Sequence, residues 1–330
     1  MRVGAYGVRK QGETPPMHPL DLVHIGSNTK AMTAVLAARL VQQGCLQWES
    51  TVGDVLVTIK DAIHPQFRPA TLAQLLQHTA GVPRNAANWW AYRNKTMRAR
   101  RLAIAQDGLR SAPLSPPGAQ HRYSNLSVLV AGAMAEAAAG ADWETLMRRE
   151  VFEPLGMKSA GFGVPGAKGG LEQPWGHVEG WLWGLRPVQT DNDPALGPAG
   201  TVHLTLSDWS RFLAVFLGHD KIGKSIAGGG GGGFLSEESL RKLLEPGTEG
   251  GSYGMGWILA QRSWAGGQAL THSGSNTTWY ASSWVAPATG TAYLVAINAY
   301  NKHVPAAANS FITAAVTHSG ADKLSQEGGS

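Results

Sequence analysis

His24-Ile25-Gly26-Ser27-Asn28-Thr29-Lys30-Ala31-Met32-Thr33-Ala34 is the stretch whose reading decides the rest of the chain. Gly26 and the small polar side chains of Ser27, Asn28 and Thr29 suit a helix start. From Ala31 onward, Met32, Ala34, Val35, Leu36, Ala38, Leu40 and Val41 are apolar at helical rather than strand spacing. Ser27 and Lys30, three positions apart, share one helix face with Cβ atoms about 5–6 Å from each other. A hydroxyl beside an amine is one way to build a nucleophile, because an amine of lowered pKa accepts the serine proton. Unpaired N–H groups at the helix N-terminus add positive potential where an oxyanion would develop. Alone, Ser-x-x-Lys fits a capped amphipathic helix with a solvated lysine better than a catalytic pair. The other segments must decide.

At 330 residues the chain can bury a large core and fits one big domain or two lobes. Hydrophobic residues make up 43% and charged residues only 15%, and the net charge of +5 is spread along the chain. Only Arg93 to Arg101 is locally basic, and without an accompanying nucleic-acid motif it reads as a solvated helix face. No nucleic-acid partner is implied. The lone Cys45 excludes an intramolecular disulfide framework and a cysteine zinc site, and reads as a packing residue. No apolar run approaches the roughly 18 residues of a membrane span, and no secretory signal precedes Val3. The expectation is a soluble protein, exported if a leader was removed and cytoplasmic otherwise.

Met1 to Val8 alternates loosely and reads as a strand. Gly44 is the C-cap signal of the first helix, and Thr71 caps a short helix to His78. A further helix is expected near Thr96 to Gln106. Ser124 or Asn125 caps a strongly apolar helix to Ala139, and Asp142 caps another to Phe152. Gly156 to Gly200 reads as loop. Helices then follow from Ser207 to Leu217 and from Ser236 to Leu244. Between them, Ile226 to Phe234 holds six consecutive glycines and reads as a flexible loop. Strands are expected at Gly256–Gln261, Gln268–His272, Trp279–Ala286 and Thr291–Asn298, before a helix from Val304 to Val316 and a polar tail. The class is α/β: an antiparallel sheet flanked by helices, built from both chain ends, with an inserted mostly helical lobe. The boundaries expected are 1–60 and 200–330 for the α/β lobe and 61–199 for the helical one, with 226–234 as a loop within the former.

Three short stretches fall where a cleft between such lobes would need them. These are Ser27/Lys30, Tyr123-Ser124-Asn125 at a helix start, and His272-Ser273-Gly274-Ser275 at a strand end. A tyrosine near a cation can act as acid or base, and an asparagine amide can fix a substrate carbonyl. A glycine on an edge strand lets a substrate approach closely. Singly, each has a stronger structural reading: Tyr123 as a packing aromatic, Asn125 as a cap and His272 as a satisfied strand-end histidine.

In this order, the motifs resemble those of the penicillin-recognising serine hydrolases, particularly the class C β-lactamase-like branch with its D-alanyl-D-alanine carboxypeptidases, D-aminopeptidases and carboxylesterases. The resemblance runs from about Tyr6 to Asn298. It also includes Leu75-Leu76-Gln77-His78-Thr79-Ala80-Gly81, Gly197-Pro198-Ala199-Gly200 and Tyr253-Gly254-Met255-Gly256-Trp257. It implies Ser27 as nucleophile, Lys30 as its base and Tyr123 as the proton carrier to the leaving group and from the deacylating water. Asn125 would hold a substrate carbonyl, and the N–H groups of Ser27 and Ser275 would form the oxyanion hole. His272 would stand at the opposite wall, and Gly274 would line the substrate. The implied substrate is a small ester, amide or D-amino-acid peptide, without metal or other cofactor. The oligomeric state is left open.

His272 stands where β-lactamases of this branch usually carry lysine. A histidine of pKa near 6.5 is only fractionally charged at neutral pH and holds a carboxylate less firmly. That tilts the expectation towards esterase or peptidase work over efficient β-lactam hydrolysis. The chain also begins inside the family's first strand, implying truncation, a misplaced start or a partner-covered face. Trp89, Trp90, Trp175, Trp181 and Trp183 are candidates for lining an acyl pocket, or for the core. Gly218 to Ser225 matches a phosphate-loop pattern, and Gly250-Gly251-Ser252-Tyr253-Gly254 matches Gly-x-Ser-x-Gly, but neither has the flanking elements those motifs need. The eleven histidines are scattered and no His-Glu-x-x-His occurs, so metal catalysis finds no support. The competing readings are a non-catalytic penicillin-binding or sensor domain of the same fold, and a nucleotide-binding protein using Lys224.

Overall fold

The computed structural model describes residues 1–180, 184–217 and 233–320. The Gly218–Ser225 pattern, most of the glycine run, Trp181, Trp183 and the polar tail therefore lie outside the described residues. At the C-terminal side, β6 (Ile258–Arg262), β7 (Gly267–Ser275), β8 (Tyr280–Ala286) and β9 (Thr291–Ile297) form an antiparallel sheet in the order β6-β7-β8-β9. Left-handed glycines at Gly266 and Gly290 make the turns that the sequence marks. The register decides where a site can form. β6 ends with Ile258 opposite Thr271, while β7 pairs with β8 as far as Ser275 opposite Tyr280. His272 to Ser275 therefore run past the end of β6, and this interior strand has one free edge at its end. The edge-strand reading of Gly274 is corrected to that extent.

The N-terminal strand is elsewhere. Met1 to Val8 forms no strand, and Val8 makes only an isolated bridge to Pro16. The chain's first strand is β1 (Val23–His24), which joins β5 (Val202–Leu204) and β2 (Gly161–Phe162) in a separate sheet of order β1-β5-β2. β2, with the hairpin β3 (Gly176–Glu179) and β4 (Leu185–Val188), lies in the stretch expected to be loop. The short runs between glycines and prolines hide these strands from a periodicity reading.

The helices are α1 (Thr29–Gln42), α2 (Val52–Val55), α3 (Leu72–Leu76), α4 (Met97–Gly108), α5 (Asn125–Ala139) and α6 (Trp143–Met147), followed by α7 (Gly197–Gly200), α8 (Leu206–Ala214), α9 (Glu237–Leu243) and α10 (Val304–His318). Their caps follow the sequence closely. Thr71 and Gln74 form a full capping box on α3, and Ser124 Oγ accepts from Ser127 N on α5 at 2.8 Å. Asp142 caps α6, which continues into a π-turn at Arg148–Phe152. From Leu126 to Glu136 every residue of α5 is buried, as befits a helix apolar on all sides and enclosed by others. Cys45 is exposed, so it does not pack. In the basic run, Arg100 and Arg101 are buried instead of solvated. Arg101 pairs with Glu136 and Glu144 and donates to the carbonyls of Pro194 and Ala195. Among the described residues, no helix is long and apolar enough to cross a membrane.

Candidate functional site

Ser27 lies in a 3-10 turn, Gly26–Asn28, immediately ahead of α1. In such a turn side chains three apart eclipse, so Ser27 and Lys30 align more directly than on an ideal α-helix. Lys30 Nζ lies 2.9 Å from Ser27 Oγ and donates to the Ala199 carbonyl at 2.7 Å. Tyr123 O–H donates to the same Ser27 Oγ at 2.8 Å, from the loop entering α5. One hydroxyl thus sits between an amine and a phenol contributed by two separate elements.

Two glycines allow the turn to meet the sheet. Gly26 has φ +50, and a Cβ built on it would lie 2.4 Å from Ser275 N. A Cβ on Gly274 would lie 2.4 Å from Ser27 N and 2.2 Å from the Ile25 carbonyl. Any side chain at Gly274 would push β7 away from the nucleophile, so this glycine serves the approach of two backbones. Asn28 fastens the contact: its amide donates to the Ile25 carbonyl, and its Oδ1 accepts from Ser283 Oγ on β8 at 2.9 Å. Behind the turn, His24 Nδ1 accepts from Gly26 N, and its Nε2 lies 2.9 Å from Asp191.

Lys30 is 1% exposed and, among the described residues, has no carboxylate against it. Burial, with a smaller push from the Arg84 charge, holds its pKa well below the usual lysine value. Burial raises the Tyr123 pKa, against the opposing hydrogen bond to Ser27 and the Arg84 charge, so the phenol keeps its proton at neutral pH. The amine is poised to accept and the phenol to donate.

A second chain of polar rings backs this group. Ser124 N–H donates to His78 Nδ1 at 3.4 Å, which places the ring proton on Nε2, 3.2 Å from the Tyr253 oxygen. Tyr253 O–H is then free to donate to His272 Nε2 at 3.3 Å, leaving the His272 proton on Nδ1. Burial, and then the Lys30 charge, lower the His272 pKa to about 3. The expected fractional charge is therefore corrected: at neutral pH this wall of the cleft carries a neutral imidazole. His78 and Tyr253 were visible only as quoted context, because no local pattern states which ring a folded chain will bring against another.

Ser27, Tyr123, Asn125, His272, Gly274 and Ser275 all line one cavity of about 760 Å³, while Lys30 lies beneath it. The Asn125 amide donates to Asn85 Oδ1 at 2.8 Å. Ser252, from the set-aside Gly-x-Ser-x-Gly match, also lines the cavity, although β6 follows it instead of a helix. The tryptophans among the described residues do not line it. Trp89 packs on the core, Trp90 is exposed, and Trp175 donates to the Gly170 carbonyl under Lys10. The cavity's aromatic walls are tyrosines. Among the described residues no group of three or more His, Cys, Asp or Glu converges on a possible metal position.

The antiparallel sheet with helices around it, on which half-buried Ser27 meets buried Lys30, is a fold shared with solved penicillin-binding proteins. A penicillin-binding protein homologue from Pyrococcus abyssi superposes with a TM-score of 0.72 at 22% identity, over 89% of this chain and 66% of that one. A penicillin-binding protein from Bacillus halodurans superposes with a TM-score of 0.71 at 18% identity, over 96% and 91%. The chain belongs to the beta-lactamase family, a family of serine hydrolases, which matches residues 2–317. It is 27% identical over 251 residues to the putative penicillin-binding protein PbpX of Bacillus subtilis, covering 75% of this chain and 56% of that protein. It is also 30% identical over 162 residues to the D-alanyl-D-alanine-carboxypeptidase/endopeptidase AmpH of Escherichia coli, covering 46% and 40%. The chain thus spans about half the length of these curated relatives.

Proposed function

We infer that this chain is a serine hydrolase that cleaves small esters or amides through an acyl-enzyme on Ser27. The observation that carries this reading is Ser27 Oγ held at once by Lys30 Nζ at 2.9 Å and Tyr123 OH at 2.8 Å. With Lys30 neutral, one of its N–H groups still donates to Ala199, and its lone pair faces the serine proton. Lys30 takes that proton as Oγ attacks the substrate carbonyl. Charge developing on the carbonyl oxygen is met by the N–H groups of Ser27 and Ser275, which the Gly26–Gly274 contact holds side by side. Tyr123 passes a proton to the leaving group, and the same groups then activate water for deacylation. Asn125 orients a substrate carbonyl, and the neutral His272, its Nε2 occupied by the Tyr253 hydroxyl, closes the β7 wall without a charge. The helical segment 61–199 and the remainder, 1–60 with 200–330, supply opposite walls of the cleft in this reading.

An esterase, a D-amino-acid peptidase and a weak β-lactamase all fit this chemistry. The relatives named for penicillin binding or D-alanyl-D-alanine cleavage support the choice of assays. Wild-type protein should turn over at least one of a p-nitrophenyl ester, nitrocefin or a D-Ala-D-Ala peptide, and Ser27→Ala should lose that turnover and covalent penicillin labelling together. Stoichiometric labelling without release would favour the non-catalytic sensor reading. Full turnover by Ser27→Ala would remove the assignment.

A further inference from the structure

Among the described residues, the cavity over Ser27 is lined by a single formal charge. Its two histidines, His121 and His272, are lowered in pKa by burial, and no aspartate or glutamate lines it. Glu249 belongs to the rim loop between Thr248 and Gly250 but does not line the cavity. The one charge is the Arg84 guanidinium. Of the other arginines in the helical segment, Arg93 and Arg100 end on Asp193, Arg101 on Glu136 and Glu144, and Arg98 on the Gly140 and Glu136 carbonyls, while Arg122 does not line the cavity. Among the described residues Arg84 has no ion pair and no side-chain hydrogen bond, and its guanidinium lies 5.7 Å from the centre of the Tyr123 ring.

Its position is nevertheless fixed at the main chain. The Arg84 carbonyl accepts from Asn125 N at 2.8 Å, which ties the residue to the start of α5. The guanidinium therefore projects from the Tyr123/Asn125 wall, over a phenol whose oxygen touches the nucleophile. A planar five-donor cation facing an open cavity without an acid is suited to an incoming carboxylate. A substrate ammonium would meet that cation with no anion to offset it.

We propose that Arg84 is a substrate-binding residue that selects esters or amides carrying a carboxylate, taken at the Tyr123/Asn125 wall and not at the β7 wall. This deepens the acyl-enzyme reading and rests on the same cavity. It also separates the peptidase alternatives: a substrate with a free carboxylate is favoured, and one with a free amine is disfavoured.

The test compares matched substrates: p-nitrophenyl hydrogen adipate, p-nitrophenyl hexanoate and p-nitrophenyl 5-(trimethylammonio)pentanoate for the acyl side. For the leaving-group side it uses 4-carboxyphenyl and phenyl hexanoate. On at least one side, wild type should prefer the anionic member by about tenfold in kcat/KM, through KM. Arg84→Gln should erase that preference, Arg84→Lys should keep part of it, and added salt should weaken it. Arg84 also lowers the Lys30 pKa, but that effect acts on all substrates alike and cancels in the ratio. An unchanged anionic-to-neutral ratio in Arg84→Gln on both sides would overturn the proposal. Binding to the Ser27→Ala protein, with and without Arg84→Gln, of adipic acid mono-p-nitroanilide against hexanoic acid p-nitroanilide, and of 4-hexanamidobenzoic acid against hexananilide, reads the same preference on both sides without turnover. A failed hydrolase reading would thus leave the Arg84 result intact, and equal binding in both proteins would sink it independently.

Discussion

Two buried cations in this chain are treated in opposite ways. Lys30 and Arg101 are both 1% exposed or less. Arg101 is met by Glu136 and Glu144 and by two backbone carbonyls, and its partners raise its pKa despite burial. Lys30 is met by one carbonyl, one hydroxyl and a phenol ring, and its pKa falls. A paired buried charge fixes packing between α4, α5 and α6. An unpaired one is a basic amine waiting for a proton, tolerated because it can become neutral. The contrast distinguishes a structural ion from a chemical one before any substrate is considered.

The sharpest way to break this contrast is Lys30→Met. Turnover of whichever ester wild type accepts should fall by about 10²–10⁴-fold, the usual range for losing a positioned base. Thermal stability should hold or rise, because a buried amine whose ionisation burial opposes has left the interior. A marked loss of Tm would make Lys30 structural after all. Next comes Arg101→Met, which leaves Glu136 buried without its cation. It should cost about 3–5 kcal/mol in a urea titration, with turnover per folded molecule close to wild type.

The smallest effect is a pH slope. The folded Lys30 pKa lies below the unfolded value, so the native state binds fewer protons across the window between them. Stability of wild type relative to Lys30→Met should therefore rise with pH in that window, and stay flat below it. Arg101 remains charged in both states throughout, so an Arg101→Met comparison should show no such alkaline gain. Chemical denaturation of the three proteins from pH 6 to pH 10 checks both statements.

Much of the site was legible because its chemistry is carried by short local patterns. Ser27 and Lys30 needed only a helix start, Tyr123 and Asn125 a capped helix, and His272 with Gly274 a strand end. Their roles came from resemblance, and the fold then brought all three stretches to one cavity. The basic run was misread because charge spacing does not say which side of α4 faces the interior. The tryptophans stayed open between pocket and core for a related reason: a large apolar ring satisfies either equally well. Gly274 was read as room for substrate, while the short distance that requires it is to the Ile25 and Ser27 backbone.

What the chain determined by itself was its caps, its meander and the amine one turn from a hydroxyl, since these depend on neighbours within a few residues. Only the tertiary structure decided that the Lys30 amine lacks a counter-charge, that His272 is held neutral, and that Arg84 is the cavity's one ion. Each of those depends on solvent exclusion and on charges brought close from distant segments. Desolvation and Coulomb interactions act through space, and no spacing along the sequence records them.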